Sequence, residues 1–178
     1  MKTVFLDRDG TINVDKGYVH KVEDFVFLPG AIEGLKILSK KYRLIIVTNQ
    51  SGIGRGLYTL EDMKIVNDYM LKELSKNNIA IERIYYCPHS PEENCNCRKP
   101  NIGMLNMAKD ELGIKLKKSY LIGDSTSDIK AGYDAGCTTI LVRTGKAGMD
   151  GRCNVNPDFI VNNLIEAAKK IIEVENES

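Results

Sequence analysis

Short continuous apolar runs alternate with stretches in which apolar residues recur every three or four positions, along almost the whole chain. Thr3–Leu6, residues 44–47, 84–86, 119–122 and 139–142, and Phe159–Val161 make up the first set. Runs this short and this apolar fit strands covered on both faces. Residues 31–41 place Ile32, Leu35 and Leu38 at helical spacing, and residues 59–77 turn Met63, Val66, Met70 and Leu74 to one side. Thr59 followed by Asp62 marks the start of that second helix, a weaker relative of the capping box. Residues 101–112, closed by Gly113, residues 125–134, ending near Gly136, and a last segment through Ile172 complete the helices, with residues 174–178 frayed. Strands separated by helices imply right-handed crossovers, and so an α/β fold with a doubly wound parallel sheet. No repeat, low-complexity tract or linker interrupts the pattern, so residues 1–178 read as a single domain.

In such a sheet, ligands bind beyond the C-terminal ends of the strands, near the point where strand order reverses. The first strand ends there in Asp7-Arg8-Asp9-Gly10-Thr11, two carboxylates one residue apart and then a glycine turn. A carboxylate at that tip can attack phosphorus to form an aspartyl-phosphate, and a second one two residues on can move protons. The pair can also hold Mg²⁺ through hard oxygen ligands, as a dianionic phosphate substrate requires. A bare Asp-x-Asp is an ordinary pair of solvated acids; the strand before it and the Gly-Thr after it set this one apart. Proximity to Asp7 raises the proton affinity of one member of the pair, and Mg²⁺ on Asp7 offsets part of that effect.

Other strand tips carry groups suited to the same chemistry. The second ends in Thr48-Asn49-Gln50-Ser51-Gly52, rich in hydroxyl and amide donors for phosphate oxygens, a composition that solvated turns share. The fourth ends in Gly123-Asp124, with Asp128 four residues on. Asp124 can complete a metal site with Asp7 and the Asp9 carbonyl, or simply be an acid favoured by a helix dipole; Asp128 reads as a structural acid. Arg98-Lys99-Pro100 sets two cations beside a helix N-terminus, where anions bind readily. A fixed cation there lowers the barrier to phosphoryl transfer.

Cys87-Pro88-His89 and Cys95-Asn96-Cys97 place three thiols and an imidazole within eleven residues. Soft sulfur plus imidazole, four ligands in all, favours a structural Zn²⁺ with no open position. The five cysteines are an odd number and no export signal precedes them, which argues against a disulfide framework; Cys137 and Cys153 have no evident partner. A net charge of +1 offers no surface for nucleic acid or membrane, and no apolar run approaches the ~20 residues of a membrane span. Lys2 leads almost directly to Asp7, leaving no room for a signal peptide, so a cytoplasmic location is expected; a monomer and a small phosphorylated metabolite as partner are expected as well.

Taken together, Asp7-Arg8-Asp9-Gly10-Thr11, Thr48, Lys99 and Asp124 resemble, in order and spacing, the four signature motifs of the haloacid-dehalogenase-like phosphatases, whose core is Rossmann-like. Within that superfamily the chain looks most like the D-glycero-D-manno-heptose 1,7-bisphosphate 7-phosphatases and, less closely, the histidinol-phosphate phosphatases. Residues 7–13, 15–20, 47–56, 97–100 and 141–145 carry that likeness. The resemblance implies Asp7 as nucleophile and Asp9 as the acid that protonates the leaving alkoxide and then activates water. It implies Thr48 and Lys99 on the phosphoryl oxygens and Arg98 in substrate recognition. Mg²⁺ is implied on Asp7, the Asp9 carbonyl and Asp124, with Asp15, Lys16, Gly17, Tyr18, Asn49, Gln50 and Ser51 lining the substrate pocket. The cysteine loop is where that family carries a structural zinc, on Cys87, His89, Cys95 and Cys97.

Two departures bear on the substrate. Heptose phosphatases usually follow Gly-Asp with lysine, where this chain has Ser125, and the five residues between His89 and Cys95 make a short loop, closer to the histidinol-phosphate type. Residues 11–30 are too few for a cap domain, and the cysteine loop is the only other sizeable insertion expected, so the enzyme reads as capless. The alternatives are a histidinol-phosphate phosphatase, a zinc-stabilised binding module without turnover, which ought to have lost Asp7 or Asp9, and a nucleic-acid-end phosphatase, which the balanced charge disfavours.

Overall fold

The computed structural model describes residues 1–177 and builds six parallel strands into one sheet. They are β1 (Thr3–Leu6), β2 (Arg43–Asn49), β3 (Arg83–Cys87), β4 (Tyr120–Gly123), β5 (Thr138–Val142) and β6 (Phe159–Val161), in the order β3-β2-β1-β4-β5-β6. The chain steps outward from β1 through β2 to β3, then returns to lay β4 on the other flank of β1. Leu6 therefore pairs with Ile46 on one side and Ile122 on the other. That reversal opens a crevice at the C-terminal tips of β1 and β4, where Asp7 and Asp124 stand.

The helices are α1 (Ala31–Ser39), the short α2 (Ser51–Gly54), α3 (Leu60–Ser75), α4 (Gly103–Leu112), α5 (Thr126–Ala135) and α6 (Leu164–Glu177). Along β1, Val4 and Leu6 pack into a core with α1, α3 and α6, whereas Phe5 packs into a second core with α4 and α5. Leu44 and Ile46 separate from Ile45 and Val47 in the same way. The strand period of two is thus hidden in an apolar run because both faces are buried, each such side chain contributing about 1.5–3 kcal/mol. Gly34 is where α1 meets α6; a Cβ there would lie 2.5 Å from the Leu164 backbone.

Side-chain caps open α3, α5 and α6, whereas α1, α2 and α4 start without one. Thr59 Oγ1 accepts from Asp62 N at 3.1 Å and Asp62 Oδ2 from Thr59 N at 2.8 Å, a complete capping box where the sequence suggested a weaker one. Two expectations need correction. The helix after the cysteine loop starts at Gly103 rather than 101. The last helix does not fray after Ile172 but runs to Glu177, because Glu175 accepts from Lys2 Nζ at 2.5 Å and from the Tyr120 hydroxyl. Ser178 lies outside the described residues.

Three long connections leave the C-terminal edge of the sheet, residues 7–30, 88–102 and 143–158, and none carries a strand or an α-helix. Among the described residues no cap covers the crevice. The third connection was not anticipated as part of the site. Among the described residues no helix is long and apolar enough to cross a membrane.

Candidate active site

The floor of the crevice is built around one buried ammonium. Lys99 Nζ donates to Asp7 Oδ1 at 2.8 Å, to Asp128 Oδ1 at 2.6 Å and to the Val47 carbonyl at 2.6 Å, so all three of its protons are placed. Burial works against its charge, but Asp128 and Asp7 outweigh it and hold the ammonium well above its ordinary range. Its backbone is fixed by Asn49, whose Oδ1 accepts from Lys99 N at 3.0 Å and whose Nδ2 donates to Lys99 O at 3.1 Å. Asn49 therefore positions Lys99 as well as lining the pocket.

Carboxylates outnumber this one cation. Asp7, Asp124 and Asp128 offer oxygens all within 4.8 Å of one another. Burial, and next the Asp128 charge, push Asp7 up to about 6, with Asp9 only a minor contributor. Burial, and next Asp7, push Asp124 up to about 9. The excess negative charge and the hard oxygen donors fit a divalent cation such as Mg²⁺. The space fits as well: a Cβ at Gly10 (φ +87°) or Gly145 (φ +55°) would fall 2.3 or 2.2 Å from the Asp124 carboxylate. Asp128 is otherwise engaged, since its Oδ2 accepts from Ser125 N at 3.0 Å and Ser125 Oγ at 2.8 Å while Oδ1 holds Lys99. Ser125, one of the two departures noted in the sequence, is the N-cap of α5.

Asp9 is held by a residue that the sequence reading passed over. The fully buried Arg8 reaches it twice, Nη2 to Oδ1 at 3.0 Å and Nε to Oδ2 at 3.2 Å. Arg8 is itself fixed by Asn67 Oδ1 on α3 and the Val19 carbonyl. Asn13 Nδ2 and Gln50 Nε2 each donate to Asp9 at 3.0 Å. Gln50 Nε2 also donates to Thr48 Oγ1 at 2.9 Å, and its Oε1 accepts from Tyr58 at 2.5 Å.

The resulting cavity holds about 300 Å³ and takes in Asp7, Asp9, Asp15, Gly17, Tyr18, Asn49, Gln50, Ser51, Arg98, Lys99 and Asp124, all expected at the site. Thr48 is buried behind Gln50 and Lys16 is exposed, and neither lines it. Tyr18 adopts a left-handed backbone (φ +53°), and its ring would meet a Cβ on Gly52 at 2.9 Å, so the loop of residues 15–18 packs on the turn after β2. Tyr58, Ser127, Lys146 and Arg152 were missed. The last two lie on the loop of residues 143–158, whose glycines and polar residues read as solvated chain. Lys146 N donates to Asp124 Oδ2 at 2.8 Å and ties this loop to the floor.

The cysteine loop brings together its four expected ligands. Cys87 Sγ lies 3.4 Å from Cys95 Sγ and 3.5 Å from His89 Nδ1; Cys97 Sγ lies 3.3 Å from His89 Nδ1 and 3.6 Å from Cys95 Sγ. Ligands at about 2.0–2.3 Å around a tetrahedral centre stand about 3.3–3.8 Å apart, so the cluster fits Zn²⁺. Burial opposes the Cys95 thiolate, but backbone donors led by Arg98 N outweigh it and bring that thiol down to about 7.

A parallel sheet with Asp-x-Asp at the tip of β1, a buried lysine beside it and an acid at the tip of β4 defines a haloacid-dehalogenase-like phosphatase. A family model described as HAD-hydrolase-like matches residues 96–167. The D-glycero-alpha-D-manno-heptose-1,7-bisphosphate 7-phosphatase of Campylobacter jejuni is 51% identical over 142 residues, covering 79% of this chain and 81% of that protein. The corresponding beta-named enzyme of Haemophilus ducreyi is 42% identical over 174 residues, covering 93% and 95%. The crystal structure of a D,D-heptose 1,7-bisphosphate phosphatase from B. bronchiseptica, complexed with magnesium and phosphate, superposes with a TM-score of 0.91 at 29% identity, covering 98% and 99% of the two chains. The chain belongs to the haloacid-dehalogenase-like heptose-bisphosphate phosphatase family.

Proposed function

We propose that this phosphatase removes the C7 phosphate of a D-glycero-D-manno-heptose 1,7-bisphosphate. The observation that carries the chemistry is Lys99, buried between Asp7 and Asp128 at the point where strand order reverses. Asp7 attacks phosphorus while Asp9, aimed by Arg8, gives its proton to the departing C7 oxygen. Asp9 then takes a proton from the water that attacks the aspartyl-phosphate, which frees phosphate and restores Asp7. Lys99 acts as a fixed positive charge beside the transferring group. Thr48 Oγ1 accepts from Gln50 Nε2, which leaves its own hydroxyl proton to donate to a phosphoryl oxygen. Mg²⁺, held by Asp7, the Asp9 carbonyl and Asp124, supplies further charge neutralisation when bound.

Zn²⁺ on Cys87, His89, Cys95 and Cys97 is structural in this reading, since four protein ligands leave it no open position. The enzyme works as a single-domain monomer in the cytoplasm. Steady-state kinetics on both anomers of heptose 1,7-bisphosphate and on histidinol phosphate test the substrate. A higher kcat/KM on histidinol phosphate than on either heptose anomer would overturn it.

A further inference from the structure

The wall of the same cavity carries donors with nothing to bind among the described residues. Ser127 is 4% exposed and its hydroxyl, in that wall, has no hydrogen-bond partner among the described residues. Arg98 Nη1 is buried in the same condition. Buried polar atoms are normally paired, because an unmade hydrogen bond costs free energy that water no longer offsets. Both residues, with Arg152, also border an adjoining cavity of about 470 Å³, so the three stand where the two spaces meet.

Arg152 does not reach this place by chance. The Asp150 carboxylate accepts from Thr126 N at 2.8 Å and Thr126 Oγ1 at 2.7 Å, and Cys153 N donates to Thr126 Oγ1 at 3.1 Å. Both flanks of Arg152 are therefore fixed to the first turn of α5, one residue from Ser127. The guanidinium comes close enough to Arg98 to act against that residue's charge, second only to burial. Neither arginine forms an ion pair among the described residues, although Glu92 lies within reach of the Arg98 and Arg55 charges. Two guanidinium groups in one cavity wall, that of Arg152 exposed, an unpartnered hydroxyl and a helix N-terminus together call for an anion.

We propose that Ser127 and Arg152 complete, with Arg98, a second phosphate-binding site that receives the phosphate remaining on the substrate. The assignment rests on the bisphosphate reading above and supplies a cation to a cavity whose wall carries Ser125. The C1 phosphate of the two anomers leaves the sugar ring in different directions, so residues that grip it set the preference between them.

The test compares wild type, Ser127→Ala, Arg152→Ala and Arg152→Lys on both anomers of heptose 1,7-bisphosphate and on p-nitrophenyl phosphate. A hydrogen bond to a charged group is worth roughly tenfold or more. Each alanine variant is expected to lose about tenfold more kcat/KM on the bisphosphate than on p-nitrophenyl phosphate, mainly through KM, and to level the ratio between anomers. Arg152→Lys should recover part of the loss. Equal losses on the two substrates, or none on the bisphosphate, overturn the site. Calorimetric titration with inorganic phosphate and Mg²⁺ decides independently of substrate: two phosphates per wild-type chain and one in the Ser127→Ala/Arg152→Ala double variant are expected. A single phosphate on the wild type overturns the proposal. A wild type that prefers histidinol phosphate ends the heptose reading, and the titration still decides the second site.

Discussion

The floor and the rim of this cavity are built on opposite rules. On the floor the charged groups have their partners: Lys99 has placed three protons, Asp128 both oxygens, and Asp9 is held by Arg8, Asn13 and Gln50. At the rim, Arg98 Nη1 and Ser127 Oγ have none among the described residues. Chemistry at phosphorus gains from groups fixed before the substrate arrives, because no reorganisation is then needed in the transition state. Recognition of the rest of the substrate gains from groups whose pairing is completed by the substrate itself. Floor variants should therefore lose kcat on every substrate, and rim variants KM on the natural one.

The largest effect belongs to the floor. Asp7→Asn is expected to abolish turnover, and Asp9→Asn to reduce kcat by ~10²–10⁴-fold, the usual worth of general acid–base help. Circular dichroism should show both variants folded. Near-normal phosphatase rates for Asp7→Asn, in enzyme shown free of contaminant, would dissolve the distinction between floor and rim.

Removing the zinc should be the next largest change, because the cysteine loop serves both regions at once. Cys97 directly precedes Arg98 and Lys99, and the Cys95 carbonyl accepts from Asn101 at 2.8 Å. We expect about one zinc per chain by elemental analysis, and chelation should lower the thermal midpoint and the activity on all substrates. Mg²⁺, in contrast, should exchange freely and be required in the assay. A chain with no zinc that keeps its stability under chelator would leave the four ligands without a role.

Asp128 tests the floor from behind. Asp128→Ala removes one partner of the buried Lys99 and the acid half of the α5 capping box. Loss of one member of a buried ion pair costs about 3–5 kcal/mol, measurable by denaturant unfolding, and kcat should fall with KM little changed. Lys99→Ala should likewise act mainly on kcat. A loss confined to KM would move Lys99 from the floor to the rim.

The floor was legible in the sequence and the rim only in part. Asp7, Asp9, Lys99 and Asp124 follow apolar runs or precede a helix at spacings that put them at strand tips, and the four zinc ligands lie within one short loop. Arg8 was passed over because its neighbours mark a catalytic tip, and only the fold shows it buried against Asn67 and Val19. Arg152 lies among glycines and asparagines, where nothing local distinguishes a guanidinium in a wall from one in solvent. The signal is long-range: Asp150 finds Thr126 across 24 residues. The last helix was cut short for the same reason, since Glu175 is held by Lys2 from the other end of the chain.

The smallest effect probes that long-range anchor through pH. Asp150 is only partly buried; burial pushes its carboxyl up, but the two donors from Thr126 outweigh this and hold it below its ordinary value of 3.8. A carboxyl lowered in the folded chain stabilises it above the unfolded value, and that contribution fades as pH falls through the lower folded value. Asp150→Asn should thus lower the thermal midpoint by a constant amount at and above about pH 5, and the gap to wild type should narrow below 3.8. Measuring the difference between the two proteins removes any acid sensitivity that both share. The same variant should raise KM for the bisphosphate more than for p-nitrophenyl phosphate, since it frees the loop that carries Arg152. A midpoint gap that widens as pH falls below 3.8 would show that the carboxylate does not anchor the rim.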